Sequence, residues 1–541
     1  MRNILQIVQT AASQTPQAEA LVSDRVRMSY RALLHSSHAF GVELSALGVP
    51  PGGRVAIFLD KRVEAVVSML GATAAGCVFV PVNPLLKPHQ VGYVLHDCGA
   101  DCLVTTSLRA RLLGAAGLAA VRHVIVVDES DTPDAHPTHA DSAVSTRRWP
   151  VSAAPRQTED VDTAAPPPVA PLIDTDLAAI LYTSGSTGLP KGVMLSHRNL
   201  LEGAWSVAEY LHHVPSDRIL AVLPLSFDAG LSQLTSAWSV GATAVLINYL
   251  GAHDVVVACE RERITAITGV PPLWMQLAGA TWSSAARGAL RYFANTGGRL
   301  PLPVLRTLRA LFPQAKPYLM YGLTEAFRST FLDPSQIDQR PDSIGKAVPN
   351  ARILVVRPDG SLCAPEETGE LVHVGACVTL GYWNDPLRTA QRYRLSPEKK
   401  SGGAPGDMAV WSGDLVRRDA EGFLYFVARN DAQIKSSGYR ISPEEIEECV
   451  HASGLVREAL ALGVPDDTLC EAIVLLVVAA VVAFNPEDLG AWCTRHLPRY
   501  MVPHRIVVCQ NIPRNPNGKF DRVALRAGFS ANGTASGETR P

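Results

Sequence analysis

The sequence has no strong excess of charge of either sign, no apolar run long enough for a bilayer and no paired cysteine pattern. Formal net charge is −2 over 541 residues, so no global field draws the chain to nucleic acid or to an acidic membrane, and a local basic patch for a small anion stays open. The longest apolar stretch, IVLLVVAAVVAF at 473–484, is too short for a membrane span. Set between Glu471 and Asn485-Pro486, it reads as a buried strand or two. The N-terminal MRNILQIVQTAASQTPQ lacks the continuous apolar core of a signal peptide and reads as an amphipathic helix. The ten cysteines are scattered; Cys98 and Cys102 are the closest pair, and no second pair completes a zinc pattern. Reduced, mostly buried thiols in a cytoplasmic chain are the expectation. No tandem repeat is visible.

What is present is globular: 47% hydrophobic and 18% charged residues, in a chain long enough for two or more domains. Residues 53–84 predict a strand at Val55–Leu59, a helix from Arg62 to Ala75 and a strand at Cys77–Val82. That unit marks a mostly parallel sheet with helices on its faces. The alternation recurs at 218–247 and 263–293. Residues 128–176, rich in Asp, Pro, Ala and Thr, predict a surface loop or disordered insertion. Beyond Arg429 the texture changes to short strands and helices, so a boundary is placed at Asp431. The last residues, 529–541, read as a disordered tail.

The stretch LYTSGSTGLPKGV, 181–193, follows a predicted buried strand, LAAILYT. Small residues let backbone N–H groups turn toward an anion, Thr183, Ser184, Ser186 and Thr187 add hydroxyl donors, and Lys191 adds a mobile cation. Together they suit a polyphosphate. It is not a Walker loop: counting from Gly185, Pro190 stands where the second glycine belongs, and Gly192 follows the lysine in place of Ser/Thr. The stretch resembles the signature of the AMP-forming adenylating enzymes, the superfamily of acyl-CoA synthetases, amino-acid adenylation domains and luciferases. The resemblance runs from about Ser29 to Arg522. It is nearest to stand-alone members such as prolyl-carrier-protein ligases and exosortase-associated acyl ligases.

The resemblance implies an α/β fold: a large N-terminal domain, 1–430, with parallel sheets sandwiched by helices, and a small mobile C-terminal α+β domain, 431–528, hinged at Asp431. It implies ATP, Mg²⁺ and a thiol acceptor, either CoA or the phosphopantetheine of a carrier protein, with a carboxylic or amino acid as substrate. Thr183, Ser184, Gly185, Ser186, Thr187, Gly188 and Lys191 would hold phosphates. In the nucleotide-binding YGLTE, 321–325, Tyr321 would flank adenine, Gly322 make the turn, Thr324 bond phosphate and Glu325 hold the metal, one carboxylate sufficing for magnesium. Gly297 and Gly298 would let backbone approach the adenine or the substrate. Asp414 and Arg429 would take the ribose, a carboxylate being able to accept both hydroxyls. Lys435 would lie near the domain junction and the Gly438 loop line the pantetheine tunnel. Lys519, in PRNPNGKFDR, would bridge substrate carboxylate and α-phosphate, placing a cation where two anions meet.

For the acid pocket the resemblance points to Phe227, Asp228, Ala229, Ser232, Ala294, Thr296, Met320, Arg328 and Ser329. Three readings of the charges stay open: Asp228 takes a substrate ammonium, Asp228 pairs with Arg328, or Arg328 pairs with Glu325. The implied activity is an ATP-dependent carboxylate–thiol ligase that charges a small amino acid such as proline onto a separate carrier protein. The alternatives are an acyl-CoA synthetase for a short or medium acid, a luciferase-like oxidising enzyme and an inactive scaffold. No nucleic-acid partner and no membrane span are expected.

Overall fold

The strand–helix–strand pattern at 53–84 folds as strand Arg54–Ile57, helix Val63–Ala74 and strand Val78–Pro81, the two strands parallel. All of the helix is buried, so it lies between layers and not on a surface. These elements come from a computed structural model that describes residues 1–24, 26–127, 145–149, 171–183, 189–398, 406–429, 433–481, 483–513, 520 and 522–531.

Two large sheets dominate. The first has nine strands, and its inner members Arg218–Ala221, Thr243–Leu246, Ala266–Gly269, Tyr292–Asn295 and Lys316–Tyr321 pair in parallel. The second has eight, in which Leu177–Thr183 and Lys191–Ser196 form an antiparallel hairpin beside parallel strands. Helices Tyr30–Ala46, Val63–Ala74, His197–Tyr210 and Asp228–Ser239 share one apolar cluster with both sheets. This is the α/β architecture of sheets sandwiched by helices. A five-stranded antiparallel sheet follows, ending in strand Leu424–Arg429.

From strand Ile434–Ser436 onward a fourth sheet forms with cores of its own. Alternate residues of strand Cys470–Ala479 enter opposite clusters: Ile473, Leu475 and Val477 on one face, Val474, Leu476 and Val478 on the other. The first cluster gathers Tyr439, Tyr500 and Met501, the second Ile512 and Phe520.

Three expectations need correction. Within 128–176, residues Ser145–Arg148 are not loop: they extend the eight-stranded sheet, parallel to His123–Val126, and the adjoining Trp149 sets its ring edgewise on Phe40. The strands after Arg429 are not all short, since Val456–Asp466 and Cys470–Ala479 make a long hairpin. The tail begins later than 529, because helix Arg522–Ala531 carries 529–531. Residues 532–541 lie outside the described residues, as does Asp431.

Gly230, in the first turn of helix Asp228–Ser239, lets the chain double back tightly: a Cβ there would stand 2.0 Å from the Pro224 carbonyl oxygen. The buried Gln233 fixes the same turn, accepting from Leu223 N and donating to the Leu220 and Thr268 carbonyls. Gly230→Ala should therefore displace the turn that presents Phe227 and Asp228 and lower Tm by roughly 2–6 °C, checked by calorimetry.

Candidate active site

The anion loop is the tip of the Leu177–Thr183/Lys191–Ser196 hairpin, with Thr183 and Lys191 facing each other across the ladder. Thr183 Oγ1 is buried without a hydrogen-bond partner among the described residues. Ser184, Gly185, Ser186, Thr187 and Gly188 lie outside the described residues. From the ladder, Lys191 Nζ reaches Glu325 Oε1 at 3.1 Å and the Tyr382 hydroxyl at 2.7 Å.

Glu325 is the electrostatic centre of the site. It follows strand Lys316–Tyr321 in the short 3₁₀ turn Thr324–Ala326 and is 1% exposed. Its Oε1 accepts from Lys191 and, at 2.7 Å, from Tyr382, which sits on the edge strand Gly381–Tyr382 beside Lys191–Ser196. Its Oε2 is buried and has no hydrogen-bond donor among the described residues; Arg440 Nη1, from strand Tyr439–Ile441, stands 3.6 Å away. Burial pushes the Glu325 carboxyl up, but Lys191, Arg440 and Arg392 outweigh it and hold the group well below the usual carboxylate range. Burial in turn draws Lys191 below the usual lysine range, against the pull of Glu325. A buried carboxylate oxygen with an unfilled acceptor position fits a hard divalent cation.

Asp228, at the N-terminus of its helix where backbone N–H groups favour an anion, accepts from Arg328 Nη1 at 2.7 Å and from the Thr324 hydroxyl at 3.1 Å. Of the three charge readings, the structure thus realises the Asp228–Arg328 pair; Arg328 does not bridge to Glu325. Thr324, expected on phosphate, here donates to Asp228. Tyr321 donates its hydroxyl to Asp414, and Asp414 is the register partner of Arg429 on strand Leu424–Arg429.

One cleft brings Thr183, Phe227, Asp228, Ala229, Thr296, Gly297, Gly322, Thr324 and Arg328 of the body together with Lys435 and Gly438 of the C-terminal unit. A smaller chamber, nearly filled by side chains, lies beyond Arg328 and holds Ser232 and Met320 beside Tyr210, His213 and Tyr292. Ala294 and Ser329 are buried in the neighbouring framework. Gly297 and Gly438, at φ +76° and +83°, both abut Val270, where added Cβ atoms would come within 3.0 and 2.9 Å. Gly298 faces Cys470 of the C-terminal unit, whose Sγ is 2.8 Å from the position a Cβ would take. Other contacts seat the C-terminal unit: Gln90 Nε2 donates to Glu445 at 2.8 Å, Lys87 Nζ to the Thr494 carbonyl at 3.2 Å, and Tyr439 stands edgewise to Phe227 and stacks on Tyr500. Burial pushes Glu445 up to about 7.

Lys519 lies outside the described residues. Its neighbour Phe520 packs on the face of the C-terminal sheet opposite the one that carries Tyr439 and Tyr500 to the cleft. Tyr382 and Arg440 carry no sequence signal of a place in this site. Arg440 lies inside the Gly438 segment but beside no chemical motif, and nothing local to Tyr382 announces a partner 57 residues away.

Comparison with known proteins accords with this geometry. The family model described as AMP-binding enzyme matches residues 8–383, and that for the AMP-binding enzyme C-terminal domain matches 445–519. An L-proline–[L-prolyl-carrier protein] ligase of Pseudomonas fluorescens is 32% identical over 520 residues, covering 94% of this chain and 96% of that protein. A long-chain-fatty-acid–CoA ligase of Salmonella typhimurium is 29% identical over 552 residues, covering 97% and 94%. A double mutant of o-succinylbenzoate CoA synthetase (MenE) from Bacillus subtilis, bound with its product analogue OSB-NCoA, superposes with a TM-score of 0.80 at 26% identity, over 97% of this chain and 98% of that one. MenE in complex with the acyl-adenylate OSB-AMP gives 0.66 over the same shares.

Arg328 is 3% exposed, so removing its carboxylate leaves a buried charge unpaired. Asp228→Ala should cost about 3–5 kcal/mol in urea denaturation, and adding Arg328→Met to it should recover most of the loss.

Proposed function

The chain belongs to the AMP-binding enzyme family and is an AMP-forming acid–thiol ligase; from that premise we propose that it activates a small amino acid such as proline and passes it to the phosphopantetheine thiol of a separate carrier protein. The observation that carries this reading is Asp228, a carboxylate in the cleft beside Thr324, in a chain similar along its length to an L-proline–[L-prolyl-carrier protein] ligase.

In the first half-reaction the 183–188 loop and Lys191 grip the β- and γ-phosphates of ATP, while Asp414 and Arg429 hold the ribose. Tyr321, bonded to Asp414, keeps that carboxylate oriented. Gly297 and Gly298 let the backbone approach the base. Glu325 would hold Mg²⁺ through Oε2, and the ion supplies charge that offsets the departing pyrophosphate. A substrate carboxylate oxygen then attacks the α-phosphorus in line, the bond to pyrophosphate breaks, and an aminoacyl-AMP remains. Lys519, carried by the 431–528 lid, sets its cation between the two anions.

The second half-reaction uses another lid position. Rotation about Asp431 removes Lys519 and brings Gly438 and Lys435 to the cleft, where the thiol sulfur attacks the acyl carbonyl and AMP leaves with the phosphate-bound oxygen. Two observations support assigning the present arrangement to this step. Gly438 already abuts Val270 while the neighbour of Lys519 packs on the far face of the lid. The likeness to MenE is also greater with a product analogue bound than with its acyl-adenylate.

The Asp228–Arg328 pair favours a second reading. Both Asp228 oxygens already have donors, so the pair is neutral and offers an ammonium less attraction than a lone carboxylate. An acyl-CoA synthetase for a short or medium acid fits that observation.

Acid-dependent ATP–pyrophosphate exchange with proline, other small amino acids and short fatty acids separates the two, and so does thioester formation with CoA against a holo carrier protein. The proposal expects exchange with proline or another small amino acid and transfer to the carrier; exchange with fatty acids alone and transfer to CoA contradicts it. Lys519→Ala should cut adenylation at least a hundredfold and slow thioester formation from supplied acyl-AMP less than threefold; equal loss of both steps contradicts the two-position mechanism.

A further inference from the structure

Of the three side chains that reach the Glu325 carboxylate among the described residues, two belong to the body of the protein and the third does not. Lys191 and Tyr382 occupy Oε1 from the body, whereas Arg440 reaches toward Oε2 from the C-terminal unit. We propose that Arg440 is a positioning residue that brings to Glu325 Oε2, from the lid, the positive charge that a divalent cation brings there during adenylation, so that lid docking and bound metal pyrophosphate exclude one another. This rests on the reading of Glu325 as the magnesium carboxylate.

The geometry carries the exclusion. Oε2 is buried and accepts no hydrogen bond among the described residues. At 3.6 Å, Arg440 Nη1 is outside hydrogen-bond range but close enough for charge pairing. A magnesium ion held by that oxygen would set a second positive charge beside Arg440. Two cations beside one buried oxygen repel in a low-dielectric setting. Arg440 is also placed by the docking itself: Tyr439 before it is wedged between Phe227 and Tyr500, and Ile441 after it is buried in the lid core. Two further docking contacts, Gln90–Glu445 and Lys87–Thr494, involve groups that do not touch Glu325. Arg440 therefore makes docking depend on whether metal and pyrophosphate have left, and it orders the two half-reactions.

The lid position can be read without turnover. Gly298→Cys places a thiol against Cys470, whose Sγ is 2.8 Å from the Cβ position at 298, within the span of a disulfide. The rate of 298–470 disulfide formation then reports docking. In this background, Mg²⁺ with pyrophosphate should slow cross-linking at least fivefold. Arg440→Ala should slow it at least fivefold without ligands and remove most of the response to Mg²⁺ and pyrophosphate, and Arg440→Lys should restore part of both. In single turnover, Arg440→Ala should slow thioester formation from supplied acyl-AMP at least tenfold more than it slows exchange. Cross-linking by Arg440→Ala at the parent rate, or a parent rate indifferent to Mg²⁺ and pyrophosphate, overturns the proposal. Because trapping needs neither acid nor thiol, a chain that exchanges pyrophosphate but traps indifferently sinks this inference alone. A chain whose trapping responds but which activates no acid sinks only the ligase reading.

Discussion

A carboxylate sealed from water requires positive charge beside it, and Glu325 makes that demand where the elements of this molecule meet. Lys191 comes from the end of a hairpin in one sheet, Tyr382 from a two-residue strand added to that hairpin's edge, and Glu325 from the turn after a strand of the other sheet. The sandwich of helices between the sheets holds these three in register. An isolated Lys191–Glu325 pair would be a poor source of stability, since desolvation offsets the attraction. Its value is as a charge centre that another positive group can complete.

The C-terminal unit has two faces with different chemistry. One sets Tyr439, Arg440 and Tyr500 at the cleft, and the other carries Phe520, beside Lys519, on the opposite side of the sheet. A single docking pose cannot present both faces to one cleft, and the proposed rotation of the C-terminal unit would use both. Close approaches at Val270 and Gly298 make the present pose specific: bulkier residues at 297, 298 or 438 would meet Val270, Pro271 or Cys470.

Much of this was legible in the sequence, for physical reasons. The strand–helix–strand alternation follows from burial on both faces of parallel strands, and the 181–193 loop declares itself because small residues and one lysine cannot be a core. The edge strand Ser145–Arg148 was not legible: its residues, Ser, Thr and two arginines, are all exposed and carry no apolar alternation. The extension of the last helix past 528 was missed because ANGTAS-type composition outweighed the apolar Phe529, which packs on the lid core. The Asp228–Arg328 pair was foreseen as one of three options, and only the fold could choose among them. Tyr382 and Arg440 are partners set by tertiary placement, to which periodicity is blind. Loop residues 184–188, Asp431 and Lys519 carry the strongest motif matches, and they lie outside the described residues.

The central claim is that one lid pose serves thioester formation and a different one serves adenylation. Oxidised Gly298→Cys, tied to Cys470, fixes the present pose. Single-turnover assays of the two half-reactions on the locked protein, each against the same Gly298→Cys variant kept reduced, should show adenylation reduced at least a hundredfold, thioester formation from supplied acyl-AMP retained, and adenylation returned to the reduced variant's own rate on adding dithiothreitol. Adenylation at the reduced protein's rate while the disulfide is intact would contradict the account.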